Sequence, residues 1–283
     1  MNTQADTLAV APATTQTRMA SGSRKKRWGA SDWIYAATVL FLFLPLFVLF
    51  FYSFNSSKGG TWTGFSTVWY EKLIFSSPAL WKAVANSLII ALGSASAATL
   101  LGGLAAVGTS RYRFRLRGVV KSLSFMPMLF PEIVVGVSLL VFFAGVGLKL
   151  GMLSIFIAHT TFNLPFVYLL VDARLEEFDS SVIEAARDLG ADEFQTLVRV
   201  ILPMAMPGIA SGFLTAVTLS LEDFVITFFV SGPGSTTLPL YIYSAIRFGV
   251  SPVINALSAV MVALTIALVY PLRNFLKAFA ARA

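Results

Sequence analysis

The sequence predicts an all-α polytopic membrane protein with six transmembrane helices, and three observations carry that prediction. Of 283 residues, 57% are hydrophobic and only 12% are charged, a balance foreign to soluble globular domains. Several apolar runs exceed the roughly 18 residues that mark a spanning helix. Lys and Arg are also divided unevenly between alternate connections, which orients the spans.

Residues 1–31 are rich in Thr, Ala and Ser and end in the basic run Arg24, Lys25, Lys26, Arg27. This resembles the charged lead of a signal peptide, but the apolar run behind it is too long and lacks an A-x-A cleavage site. The expectation is a disordered cytoplasmic tail followed by an uncleaved first span near 32–54. The second span, near 86–109, carries Gly93, Ala97, Ala98, Gly102, Gly103 and Ala106 at close-packing intervals. Small residues let helices approach where hydrophobicity cannot drive association, which places this span in the core or at a subunit interface.

The third span, near 123–146, holds Pro127 and Pro131, with Glu132 directly after the second proline. Prolines interrupt backbone hydrogen bonding and open space for a gate or cation path, or simply kink the helix around a satisfied carboxylate. The fourth, near 152–172, has a polar break at His159, Asn163 and Pro165; a lone intramembrane histidine is more often hydrogen-bonded packing than a ligand or proton relay, so no catalytic role is assigned. The fifth, near 205–230, contains Glu222 and Asp223, and the sixth lies near 253–272.

Sixteen of the 21 basic residues fall on one side of these spans: in the tail, between Arg111 and Lys121, among Arg174, Arg187 and Arg199, and at the C-terminus. Lys58, Lys72, Lys82, Lys149 and Arg247 are left for the other side. Both termini are therefore expected in the cytoplasm. The net charge of +7 follows from this topology and from contact with the lipid bilayer. No basic stripe interleaved with stacking aromatics argues for nucleic acid.

Cysteine is absent and histidine occurs once, which removes disulfides, thiolate catalysis and multi-histidine metal centres. The nearest mimic of a phosphate loop, Gly232 to Thr237, lacks the lysine. If ATP drives this protein, another subunit binds it.

Between the fourth and fifth spans, about 174–203, lies a connection far longer than the 2–8 residues usual in helix bundles. It reads EAARDLGADEFQTLVRVILP from Glu184 to Pro203, a charged amphipathic stretch suited to docking a soluble partner. Two helical pieces joined at a turn or C-cap on Gly190 fit this sequence. Ala185 and Ala186 allow close approach, Glu184 offers a carboxylate to a basic partner residue, and Leu202-Pro203 ends the second piece. A solvated amphipathic linker is the plainer alternative.

The pattern E-A-A, three residues, G, nine residues, I, one residue, L-P resembles the cytoplasmic loop of ABC importer permeases, with Val200 in the isoleucine position. The runs from Asn86, Arg111 and Ser220 are similar to the permeases of spermidine/putrescine importers, a resemblance covering about 32–272. It implies the type I ABC importer permease fold over 32–283, with coupling helices in the loop and a bacterial inner-membrane location. It further implies a second homologous permease subunit, two cytoplasmic ABC ATPases that carry ATP and Mg, and a periplasmic polyamine-binding protein. No cofactor is expected on this chain.

An ionised carboxylate in a membrane costs about 2.5–3.5 kcal/mol and is usually functional. Glu222 and Asp223 have no Lys or Arg in their span, so one is protonated, paired across an interface, or matched by a cationic substrate. The alternative is interhelical hydrogen bonding. With Glu132 they are the candidates for a pathway or gate. Trp69, Tyr70, Tyr241 and Tyr243 offer ring faces to ammonium groups, or belong to the interfacial aromatic belt. Two other classes compete: a secondary transporter or channel for an organic cation, and a membrane enzyme. Neither accounts for the loop, and the sequence shows neither an internal repeat nor a catalytic constellation.

Overall fold

The computed structural model of the chain describes residues 29–280, apart from residues 59, 60, 113, 180 and 248–251. Most of the predicted N-terminal tail, including its basic run, lies outside the described residues. Among the described residues the secondary structure is helical, with one isolated antiparallel bridge between Asn55 and Phe65. Two compact units are present, Met1–Val48 and Leu49–Ala283.

The first unit holds most of α1, Ala30–Tyr52. Its 23 residues, at about 1.5 Å each, suffice for a hydrocarbon core roughly 30 Å thick.

The second unit is built on three helices that pack mutually: α3 (Pro78–Arg111), α6 (Met152–Glu176) and α9 (Leu202–Glu222). The small residues of α3 explain why. Ala91, Ala95, Ala98, Gly102 and Ala106 recur every three or four positions and are all buried, forming one helix face. At Gly102 a Cβ would stand 3.0 Å from the Leu164 carbonyl oxygen, so the backbones of α3 and α6 touch. α3 starts at Pro78, a residue favoured in the first turn of a helix, earlier than the predicted 86.

Outside this bundle, α2 (Val68–Phe75) caps one end, its Trp69 packed with Leu73, Leu80 and Leu257. The predicted third span is two helices, α4 (Arg117–Leu129) and α5 (Glu132–Gly145), meeting at 107°. Phe130, forced out of the helical region by the proline that follows, has φ −87° and ψ 140°. Lys121 of α4 is paired with Asp172 and Glu176 of α6 at 2.8 and 3.1 Å.

The predicted fifth span is also interrupted. A short helix α7 (Ser181–Asp188) and a turn α8 (Glu193–Thr196) precede a π-helical stretch, Leu197–Ile201, that runs directly into α9. Pro203 does not end the second piece of the loop as the sequence suggested. The helix continues because the π stretch shifts the pairing, with the Leu202 N–H reaching back to the Leu197 carbonyl. α9 then stops at Glu222, and α10 (Val225–Val230) follows after Asp223 and Phe224. Last come α11 (Leu238–Arg247) and α12 (Pro252–Ala280).

By length and composition, four helices among the described residues can cross a membrane: α1, α3, α6 and the Glu193–Glu222 run. The bent α4–α5 pair makes a fifth if counted as one span. The predicted sixth span falls inside α12, 29 residues long, whose Pro252–Ala267 portion is apolar.

Candidate functional site: two helix breaks and an exposed loop

The two interruptions lie side by side. α5 packs against α10, and at Gly136, one turn into α5, a Cβ would collide with Phe229 at 2.8 Å and crowd the Ile226 Cα at 3.3 Å. Glu132 opens α5, and Glu222 and Asp223 close α9. Glu132 thus opens the helix that packs on α10, and Glu222 and Asp223 stand just before α10 in the chain. The sequence named all three as candidates for one pathway or gate; in the structure they stand at the ends of α5 and α9, beside the packed α5–α10 pair.

Their surroundings differ. Asp223 is 8% exposed, and its oxygens accept the Ile226 N–H at 3.2 Å and the Thr227 N–H at 2.8 Å. It thereby caps α10, satisfying donors that the break would otherwise orphan. The Thr227 hydroxyl donates to it at 2.7 Å, and His159 Nε2 lies at 3.1 Å. Asp223 is thus directed into the protein and shared among four donors. Glu132 and Glu222 are exposed on this chain. Neither makes a hydrogen bond or ion pair among the described residues, and no Lys or Arg occurs in α5, α9 or α10.

Next to Asp223, Phe224 packs against Tyr243 at a 38° tilt with ring centroids 4.5 Å apart, and Phe228 completes the group. Tyr243 is exposed. Sequence reading named Tyr243 but had no means of linking it to Phe224 across the intervening turn. Trp69 and Tyr241 belong to another cluster. Trp69 is 4% exposed, donates its indole N–H to the Asn55 carbonyl at 2.6 Å, and packs in a core that Tyr241 flanks. Burial removes Trp69 from the set of surface rings an entering ligand can meet, so that sequence assignment is replaced by a structural one.

The long loop offers the second feature. Asp179 starts it by accepting the Ser181 N–H at 2.9 Å, a bond that holds its carboxyl below the ordinary carboxylate range. α7 ends in paired bonds from Gly190 N–H to Arg187 (2.8 Å) and from Ala191 N–H to Ala186 (3.0 Å). These are the two bonds of a Schellman motif, with Gly190 at φ +86°. The next helix is fixed at once by a capping box between Asp192 and Gln195. The predicted turn on Gly190 is therefore a rigid corner. Around it, Leu189 is 89% and Phe194 73% exposed, with Glu184 and Ala185 also open to solvent. Ala186 is half-buried, and Leu202 lies beyond the π stretch at the start of α9. Exposed apolar side chains on a well-ordered corner mark an interaction surface.

Residues 98–283 match the family model described as "Binding-protein-dependent transport system inner membrane component". The spermidine/putrescine transport system permease protein PotC of Escherichia coli (strain K12) is 44% identical over 247 residues, covering 87% of this chain and 92% of that protein. The putrescine transport system permease protein PotI of the same organism is 44% identical over 229 residues, 78% of this chain and 81% of that one. Among solved structures, a chain of a bacterial ABC transporter that imports the acidic polysaccharide alginate superposes with a TM-score of 0.63. It is 19% identical, and the match covers 88% of this chain and 98% of that one; at such identity the likeness is one of fold.

Proposed function

We propose that this chain, which belongs to the family of binding-protein-dependent transport system inner membrane components, is a permease subunit of an ATP-driven ABC importer for polyamines. It forms half of a translocation pore with a second, homologous permease. A cytoplasmic ATPase docks on the corner around Gly190, and a periplasmic binding protein delivers the substrate. Both termini face the cytoplasm, in line with the excess of Lys and Arg on that side.

One observation carries the choice of substrate class: Glu132 and Glu222 stand without a cationic partner among the described residues, at adjoining breaks in membrane helices. Two unpaired carboxylates in a membrane demand a counter-charge. A polyamine supplies two or more ammonium groups, and the Phe224–Tyr243 pair beside them adds ring faces that attract such cations. Identity to PotC and PotI over most of the chain supports the same class. This chain performs no covalent chemistry in the reading.

Movement follows from the connections. The Gly190 corner joins α7 to the Glu193–Glu222 run, whose far end is Glu222 itself. A push on the corner is passed along a helix of 30 residues, roughly 45 Å long, to the break that carries the carboxylate. Alternating access is then a rearrangement of α5 against α10.

Neutralising Glu222 tests the assignment. A charge-assisted hydrogen bond is worth about 1.5–3 kcal/mol, so Glu222→Gln should raise the KM for putrescine or spermidine uptake roughly ten- to a hundredfold. Glu132→Gln should act in the same direction, and uptake should be inhibited by excess diamine but not by a neutral diol of equal length. Unchanged KM in both variants would remove these residues from the pathway.

A further inference from the structure

His159 is 2% exposed and joins α6 to both α9 and α10. Its Nδ1 lies 2.6 Å from the Ser220 hydroxyl of α9, and its Nε2 lies 2.9 Å from the Thr227 hydroxyl of α10 and 3.1 Å from Asp223 Oδ2. Ser94 of α3 donates to Ser220 at 3.4 Å. One arrangement of hydrogens satisfies the whole chain: Ser94 donates to Ser220, Ser220 to Nδ1, and the Nε2 hydrogen is shared by Asp223 and Thr227. Sequence reading treated this histidine as packing. In the structure it is the only side chain that bonds both ends of the α9–α10 break among the described hydrogen bonds.

We propose that His159 is a positioning residue for substrate recognition: by holding Ser220 on one side of the break and Asp223 and Thr227 on the other, it fixes the direction in which Glu222 projects. Glu222 lies between Ser220 and Asp223 in the chain and has no bond of its own. With Ser220 and Asp223 on either side of it both bonded to His159 of α6, the chain at position 222 is restrained, so its carboxylate is kept on the exposed side while Asp223 is kept inside. α6, which carries His159, leads at its other end into the loop before α7. This inference rests on the reading of Glu222 as a substrate ligand.

The test compares variants of the full complex, with partner permease, ATPase and binding protein, in proteoliposomes supplied with radiolabelled spermidine. His159→Leu keeps bulk and removes both nitrogens. Loss of orientation at one ligand should raise KM about tenfold, with binding-protein-stimulated ATP hydrolysis within about twofold of wild type. His159→Gln restores a donor near the Nε2 position and should bring KM back to within about threefold. An unchanged KM in His159→Leu overturns the inference, as does a His159→Gln variant no better than leucine. Should the leucine variant fail to assemble, Thr227→Val removes one acceptor of the His159 N–H. An increase in KM of about threefold then supports positioning, and no change overturns it. Absence of uptake by the wild-type complex would defeat the transport reading itself, an outcome distinct from wild-type uptake with an indifferent His159.

Discussion

Replacing Gly190 by arginine is expected to cut uptake roughly a hundredfold while leaving the chain in the membrane. Two effects combine. Gly190 adopts φ +86°, a conformation that costs a residue with a Cβ about 1–2 kcal/mol. That strain alone bends the corner without unfolding the helices, since nothing lies within 4 Å of the site a Cβ would take. In the proposed function the damage therefore falls on the ATPase docked at the corner. A long cation placed between Leu189 and Phe194, both exposed, obstructs a packed interface whose central residues are each worth about 2–4 kcal/mol. Transport should fall roughly a hundredfold, and the ATPase should no longer copurify. Gly190→Ala carries the backbone cost without the bulk and should retain most of the activity. Normal transport by the arginine variant would show that the corner does not bear the ATPase.

Gly232→Ala should be the most damaging glycine-to-alanine change among the described residues. A Cβ at that position would stand 2.0 Å from the Leu150 carbonyl oxygen and 2.5 Å from its carbon. These are backbone atoms, and they cannot yield cheaply. Gly151 starts the α6 cap through its bond to Ser154, and Ser154 also donates to the Val230 carbonyl at 2.7 Å. Moving Leu150 therefore disturbs the junction of α6 with α10, close to the break that carries Glu222. Overpacking of this severity costs about 3 kcal/mol or more, which should appear as a large drop in Tm in detergent and in the amount of chain recovered from membranes. Gly234→Ala is the control. Its φ is +81° but nothing lies near its Cβ position, so only the conformational term of about 1–2 kcal/mol applies. Equal stability of the two variants would contradict the close approach at Leu150.

Elements governed by local patterns were legible in the sequence. The apolar length of α1 and α6, the small-residue face of α3 and the turn at Gly190 all follow from composition, spacing and one special residue. The bend before Glu132 was half legible, because Pro131 announces an interruption without giving its angle. The break at Asp223 was not. The stretch carries neither proline nor glycine, and the helix stops because the Asp223 side chain takes two backbone donors of α10, with the Thr227 hydroxyl and His159 of α6 as its remaining partners. That is a tertiary event, although an aspartate four residues before a threonine in an apolar run is the signal to seek. Pro203 misled for the opposite reason, since a π stretch absorbed the missing donor. Trp69 looked like a surface aromatic because its burial depends on helices far along the chain.

The proposed mechanism joins these parts into one path, from the Gly190 corner along the Glu193–Glu222 run to the adjoining breaks at Glu222 and Glu132. It requires that force enter from an ATPase and that cations leave through the breaks. The decisive measurement is uptake of radiolabelled putrescine and spermidine into proteoliposomes containing this chain, its partner permease, the ATPase and the binding protein, with each component omitted in turn. Uptake that needs ATP and collapses when the ATPase or the binding protein is left out is the expected result. Uptake by this chain alone, driven by an ion gradient, would contradict the account and make the protein a secondary carrier.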